Sequence, residues 1–394
     1  MKTVMSIIGA RPQFVKAALI CKRLEKDNIR NILVHTGQHY DFNMSDIFFQ
    51  ELSLPKPDYF LGIGSYDHGM QTGKMLIDIE NVVLQERPDW VIVYGDTNTT
   101  LAGALAASKL HIPIAHVEAG LRSHNKAMPE EINRILADHV SSVLLCPSKT
   151  AINNLRREGF NNIHNNGELM GFDDSFDVNK PYVYASPMDP SYSPSLVVNV
   201  GDIMFDQVLL TRKMVSDDIT LKKYNLNAGS YILVTIHRPE NTDIKENLEG
   251  IITALEHFAH NGITVLFPAH PRTLKALAKF GLNQKQSVQS MICEPVSYTE
   301  MISLESNARL IFTDSGGVQK ESYFLHTPCV IPRNEVEWVE LVDLGWTTLT
   351  GKTSNAIIES IEKRLSDKKG NEPVNVYGDG HAGDRIGNLL KELL

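Results

Sequence analysis

Long apolar runs are missing from this 394-residue chain. No stretch of ~18 apolar residues occurs, so no membrane-spanning helix is expected. The apolar run after Met1 is too short for a secretory signal, and no cleavage site follows it, so a cytoplasmic protein is expected. Cysteine is scarce: the four residues Cys21, Cys146, Cys293 and Cys329 are scattered, with no Cys-x-x-Cys. That excludes a disulfide framework and a thiolate zinc site and fits reduced thiols. Positive charge is not in excess. The net charge of −9 argues against nucleic acid as a partner. No Gly-x-Gly-x-x-Gly follows the first apolar run, which leaves a nicotinamide cofactor without support. Gly69-Met70-Gln71-Thr72-Gly73-Lys74-Met75 has the wrong spacing for a phosphate loop of the Walker type. No His, Asp or Glu spacing calls for a metal. No cofactor is therefore expected.

What is present is alternation. Val4–Ile8, Asn31–His35, Trp90–Tyr94, Ile114–Val117 and Val143–Cys146 read as buried parallel strands. Gln13–Lys26, Gln71–Gln85, Thr97–Leu110 and Pro129–His139 read as the helices between them. The scheme repeats with strands at Tyr231–Thr235, Thr264–Pro268, Ser290–Cys293, Leu310–Thr313 and Cys329–Pro332. Helices are expected over Lys245–His260 and Ser297–Ser306. The pattern implies an α/β chain of two Rossmann-like, doubly wound domains. We place them at 1–205 and 206–380, with a final helix over 381–394 packing back on the first domain. A stretch near 161–194 is rich in Asn, Asp, Pro, Ser and Tyr and lacks periodicity. It reads as a surface insertion, with a lid or a dimer contact as alternatives.

Polar residues gather where these strands end, the edge at which open α/β sheets bind ligands. Gly9-Ala10-Arg11-Pro12 turns from the first strand into a helix. Arg11, with Lys16 in the next turns, suits an anion, although a solvated arginine in a tight turn would look the same. Asp96 follows Tyr94-Gly95 and is either a helix N-cap or a site carboxylate. Glu118 follows His116-Val117. Pro129 then opens a helix with Glu130 or Glu131 in its first turn, where the helix dipole alone would favour them. Carboxylates at neighbouring strand ends are harder to explain as caps, and their repulsion beside an anion suits proton transfer. In the second half, His237-Arg238 ends one strand, with charge stabilisation or proton transfer as roles for His237. His270 ends the next. Ser315-Gly316-Gly317 lies between Leu310–Thr313 and a helix start, where backbone N–H groups can seat a phosphate. Glu321, one turn on, is placed to accept from a sugar hydroxyl. His35-Thr36-Gly37-Gln38-His39-Tyr40, a strand end plus loop, reads as cleft lining rather than a metal site.

Taken together, Gly9-Ala10-Arg11-Pro12, Tyr94-Gly95-Asp96-Thr97, His116-Val117-Glu118-Ala119-Gly120-Leu121-Arg122, Pro129-Glu130-Glu131-Ile132-Asn133-Arg134, Thr235-Ile236-His237-Arg238 and Asp314-Ser315-Gly316-Gly317 resemble, in order, the motifs of non-hydrolysing UDP-N-acetylglucosamine 2-epimerases. Gly9–Lys16 and Gly37–Asp41 look nearest the subgroup acting on UDP-2,3-diacetamido-2,3-dideoxyglucuronic acid for bacterial surface polysaccharide. The resemblance implies a GT-B-like fold with its active site in the interdomain cleft, a homodimer, and inversion at C2 by elimination and re-addition of UDP. It makes Asp96, Glu118 and Glu130 the acid–base carboxylates, with His237 near the leaving phosphate. Arg11, Lys16, Arg134, Arg238, His270, Ser315, Gly316, Gly317 and Glu321 become substrate contacts. A hydrolysing epimerase and a GT-B glycosyltransferase are the rival readings.

Overall fold

The computed structural model describes residues 2–38, 54–64, 66–174, 195–334, 338–367 and 375–394. The chain divides into two compact units, Met1–Gln207 with Asn375–Leu394, and Val208–Val374.

Unit 1 is built on seven strands: β1 (Thr3–Ile8), β2 (Arg30–His35), β3 (Tyr59–Phe60), β4 (Trp90–Tyr94), β5 (Ile114–Val117), β6 (Val143–Cys146) and β7 (Leu196–Asn199). Their order is β3-β2-β1-β4-β5-β6-β7, all parallel. β4, β5 and β6 are buried at every position, which accounts for their unbroken apolar sequences. Unit 2 repeats the winding with β8 (Tyr231–Thr235), β9 (Thr264–Pro268), β10 (Ile292–Cys293), β11 (Leu310–Thr313), β12 (Cys329–Ile331) and β13 (Thr347–Leu349), ordered β10-β9-β8-β11-β12-β13. The expected pair of doubly wound α/β units is therefore found. Each sheet reverses direction once, between β1 and β4 and between β8 and β11. The crevice outside the carboxyl ends at such a point is where open sheets take ligands.

Some elements escaped the periodicity reading. β7 and the helices Lys149–Arg157, Ile203–Met214, Pro271–Lys279 and Ser354–Ser366 are added by the structure. Ser290–Cys293, expected as a strand, is split: Ser290 and Met291 end a helix, and Ile292–Cys293 pairs with β9. Part of the 161–194 stretch is ordered against the sheet, since Ile163 and Leu169 bridge to Val197 and Asn199 of β7. Its remainder, 175–194, lies outside the described residues, as do His39, Tyr40 and Asp41.

The first crossover turn is shaped by close approach. A Cβ on Gly9 would fall 2.1 Å from Thr36 Oγ1 and 2.2 Å from Thr99 Oγ1. The helix Arg11–Lys26 starts without a side-chain cap from Ala10. Gln13 Oε1 instead accepts the Gly9 and Ala10 amides at 2.7 and 3.0 Å.

The final helix, Ala382–Leu393, packs on Arg11–Lys26. Arg23 donates to Asp384 at 3.1 Å and to Asn388 at 2.7 Å. At the start of that helix, Asp206 accepts the Ala382 and Gly383 amides at 3.0 and 2.7 Å. Burial pushes the Asp206 carboxyl up to about 6, against the pull of those two amides. In the unfolded chain it titrates near 4. The native state thus binds the extra proton between about pH 4 and 6. Stability from this group is complete below that window and falls by at most about 3 kcal/mol as pH rises through it. Amide-exchange protection of Ala382–Leu393 should show this decline in the parent, and Asp206→Asn should flatten it. Equal slopes in both proteins would remove Asp206 as the titrating group.

Candidate active site

The carboxyl edge of unit 1 holds two charged pairs. Glu118 directly follows β5 with φ +70°, a left-handed conformation rare outside glycine. Its carboxylate pairs with Lys16, and the two side chains are 10% and 6% exposed. Asp96 directly follows the Gly95 turn and pairs with Arg134. A Cβ on Gly95 would sit 3.5 Å from both Glu118 Oε2 and Lys16 Nζ, so the two strand ends converge there. The N-cap alternative for Asp96 fails, because Thr97 caps the helix Asn98–Lys109 by accepting from Thr100 N–H. Asp96 is left 31% exposed at the sheet edge.

The two glutamates at 130 and 131 separate. Glu131 is buried and accepts from the Ser123 and His124 amides, both at 2.9 Å, from Ser123 Oγ at 3.0 Å and from Arg134 Nη1 at 3.0 Å. It anchors the loop before its helix and steers Arg134 toward Asp96. Glu130 is exposed on the first turn of the helix Pro129–Val140. Arg11 stands at the first position of its helix, half-buried.

Several groups beneath this edge were not singled out in the sequence. Gln13 Nε2 donates to the Tyr94 carbonyl at 2.8 Å and to Thr97 and Thr100 hydroxyls at 3.0 Å. One buried amide therefore joins the ends of β1 and β4 across the reversal point. Asn133 Nδ2 donates to the Asp96 carbonyl at 3.0 Å and to Asn98 Oδ1 at 3.1 Å. Gln38, which the sequence did single out as cleft lining, is tied to the scaffold, its Oε1 accepting Thr99 N–H at 3.0 Å and Thr99 Oγ1 at 2.8 Å.

Unit 2 gathers its groups at the ends of β8 and β11. Asp314 is fully buried and takes the His237 and Arg238 amides, each at 3.0 Å, and Asn241 Nδ2 at 2.8 Å. His237 Nδ1 lies 3.4 Å from Asp314 Oδ1. Burial lowers the His237 pKa, Asp314 opposes the shift, and Arg238 and Arg272 reinforce it. The ring is therefore neutral at pH 7, able to accept a proton. His270 is brought to it, ring centres 6.0 Å apart, while its own Nδ1 caps the next helix through Arg272 N–H. Ser315 is the N-cap of the helix Gly316–Phe324, and Gly317 is exposed. The first amides of a helix lack intrahelical acceptors. Trp338 Nε1 donates to the Gly316 carbonyl at 2.9 Å and fixes this turn.

Glu321 is nearly buried on the same helix and has an acidic neighbour that sequence reading missed. Glu305 is fully buried, and neither of its carboxyl oxygens has a well-formed hydrogen-bond partner. Burial, then the Glu321 carboxylate, push Glu305 well above the ordinary carboxylate range. Burial and the neighbouring carboxylate thus favour the neutral form of Glu305.

Among the described residues no helix is long and apolar enough to cross a membrane, and no cluster of three metal-binding side chains occurs.

Comparison with known proteins identifies the family. The sequence profile of the UDP-N-acetylglucosamine 2-epimerase family matches residues 22–391. The chain is 45% identical over 391 residues to the UDP-2,3-diacetamido-2,3-dideoxy-D-glucuronate 2-epimerase of Pseudomonas aeruginosa, covering 99% of each. It is similar in structure to the UDP-GlcNAc 2-epimerase of Methanocaldococcus jannaschii in complex with UDP-GlcNAc and UDP, with a TM-score of 0.82 at 42% identity over 99% of each chain. Staphylococcus aureus MnaA, in a co-structure with UDP, is similar with a TM-score of 0.80 at 30% identity, covering 100% of this chain and 98% of that one. Two parallel-sheet units of GT-B-like build, carrying this profile over residues 22–391, make the chain a member of the UDP-N-acetylglucosamine 2-epimerase family.

Proposed function

We propose that the protein inverts C2 of a UDP-2-acetamido sugar by eliminating UDP and adding it back. The substrate is UDP-GlcNAc or its 2,3-diacetamido uronic relative, destined for surface polysaccharide. The observation that carries this reading is the pairing of Glu118 with Lys16 and of Asp96 with Arg134 on adjacent strand ends of unit 1.

A C2–H bond beside an acetal carbon is not acidic enough for direct removal. As the C1–O bond to UDP breaks, its electron pair leaves with the diphosphate, and a carboxylate takes the C2 proton. The products of this step are a 1,2-unsaturated sugar and UDP. A second acid returns a proton to the opposite face of C2 while the diphosphate oxygen bonds again to C1. We assign the proton transfers to Glu118 and Asp96, with Glu130 as a third acid. Unit 2 holds the nucleotide. The helix start at Ser315-Gly316-Gly317, with Arg238 and His270, receives the diphosphate, and Glu321 accepts from the ribose. His237, neutral before reaction, takes up charge beside the departing phosphate. Arg11 and Lys16 add cationic contacts from unit 1. Donors preorganised on a leaving oxyanion are each worth roughly 3–4 kcal/mol. No redox step occurs, so the reaction asks for no cofactor. We assign a cytoplasmic homodimer, in keeping with four unpaired cysteine thiols.

Proton NMR in deuterated water tests the reading. Both epimers of the UDP-sugar should accumulate with deuterium at C2. Accumulating UDP with a free reducing sugar would replace re-addition with hydrolysis, and an unchanged donor would favour a glycosyltransferase.

A further inference from the structure

His116 lies on β5, two residues before Glu118, and is completely buried. Its Nε2 is 2.7 Å from the Gly95 carbonyl oxygen, and its Nδ1 is 2.7 Å from Asp138 Oδ1. A backbone carbonyl only accepts, and a neutral imidazole has a single N–H. With that N–H on Nδ1, a bare nitrogen faces the carbonyl. With it on Nε2, a bare nitrogen faces the carboxyl. The second arrangement would need a proton on Asp138. Arg122 opposes that, since its Nη1 lies 2.7 Å from Asp138 Oδ2. Burial works against ionisation of Asp138, yet its contact with His116 and the charge on Arg122 hold it below its usual range.

The surrounding charges balance. Arg122 grips Glu158 with two bonds of 2.6 and 2.8 Å, and exposed His139 lies 3.2 Å beyond. Cys146 also faces Asp138, and burial keeps its thiol protonated. A cationic His116 with Arg122, Asp138 and Glu158 sums to zero. A neutral ring would leave a net negative charge with buried Asp138.

This cluster clasps the two strand ends that carry the site acids. Asp138 bonds His116 through one oxygen and the Gly120 amide through the other, at 3.1 Å. These points lie two residues before and two after Glu118. The left-handed backbone of Glu118 costs on the order of 1–3 kcal/mol and persists because its flanks are fixed. On the neighbouring strand, Gly95 is held on both sides. Its carbonyl takes the His116 proton, and its amide donates to the Val117 carbonyl at 3.0 Å. Asp96 is the next residue.

We infer that His116 is held as a permanent imidazolium and is a positioning residue, aiming Glu118 through Asp138 and Asp96 through the Gly95 carbonyl. The kinetic part rests on the reading of those two acids as the proton-transfer groups. Selective ¹⁵N-histidine NMR of the full chain tests the protonation itself. At about pH 8.5, well above the ordinary imidazole range, the His116 ring should still show two protonated nitrogens. One bare nitrogen there overturns the inference. His116→Gln supplies the assignment and the kinetic arm, since it keeps one donor and loses the charge. Its kcat should fall roughly 10- to 100-fold with KM and UDP affinity within about threefold. Asp138→Asn should show the same split. Parental kcat in either folded variant overturns the positioning role. If His116→Gln does not fold, Asp138→Asn supplies both arms. Failure of the parent to epimerise any UDP-2-acetamido sugar would sink the proposed function alone, because the NMR result needs no substrate.

Discussion

Glu118→Gln should lower turnover about 10³- to 10⁴-fold while UDP affinity stays within about threefold. The substitution keeps the size and most of the polarity of the side chain, so the packing at the end of β5 survives. What it removes is the capacity to take or give a proton. It also sets an amide against Lys16 in a pocket where both side chains are largely shielded from water. A loss of 10³ corresponds to about 4 kcal/mol of transition-state stabilisation. Breaking a buried ion pair costs a comparable amount of folding stability, so the loss is assigned to proton transfer where the variant stays folded and still binds UDP. Asp96→Asn should behave alike. Affinity for UDP should persist because most of the nucleotide contacts assigned here lie in unit 2 and neither variant removes Arg11 or Lys16. Deuterium incorporation at C2 and calorimetric binding of UDP separate the two effects. Parental turnover in both variants would remove these carboxylates from the mechanism.

The strand-end logic was readable in the sequence because parallel strands buried on both faces leave long apolar signatures, and the next polar residue marks the edge. Gly9, Gly95, Glu118 and Ser315 were found that way. Short edge strands such as β7 and β13 were not, since Leu196-Val197-Val198-Asn199 and Thr347-Thr348-Leu349 are too short to show a period beside loops. Which of Glu130 and Glu131 turns inward was equally hidden. Both occupy a first helical turn, and only the Ser123–His124 loop, folded back over that turn, selects Glu131. The supporting layer was the least legible. Gln13, Asp138 and Glu305 sit inside helices, where a polar residue suggests a solvated face. They act only because tertiary packing brings a strand end or a second carboxyl against them. His116 alternates within an apolar strand and looks like a tolerated interior histidine until the two oxygens around it are seen.

Asp314→Ala should destabilise unit 2 by on the order of 3–5 kcal/mol and weaken UDP binding at least about 100-fold. Asp314 ends β11, and its own amide donates to the Thr235 carbonyl of β8 at 3.1 Å. Its carboxylate then collects the His237 and Arg238 amides and the Asn241 side chain, all within 3.0 Å. A single buried anion thus closes the reversal point of the second sheet and fixes the His237–Arg238 turn. Alanine leaves one buried and two part-buried donors without that acceptor, and each costs up to roughly 1–3 kcal/mol unless water enters. Asp314→Asn should lie between, because one carbonyl oxygen remains while the new amide opposes a backbone N–H. The loss of affinity follows from geometry. Ser315-Gly316-Gly317 begins at the next residue, so releasing Asp314 frees the phosphate seat and the imidazole together. Hydrogen-exchange protection in Tyr231–Thr235 and Leu310–Thr313 would report the first effect, and calorimetry with UDP the second. If stability falls while affinity holds, the phosphate seat is organised by the Trp338–Gly316 contact instead, and Asp314 serves only the turn at His237.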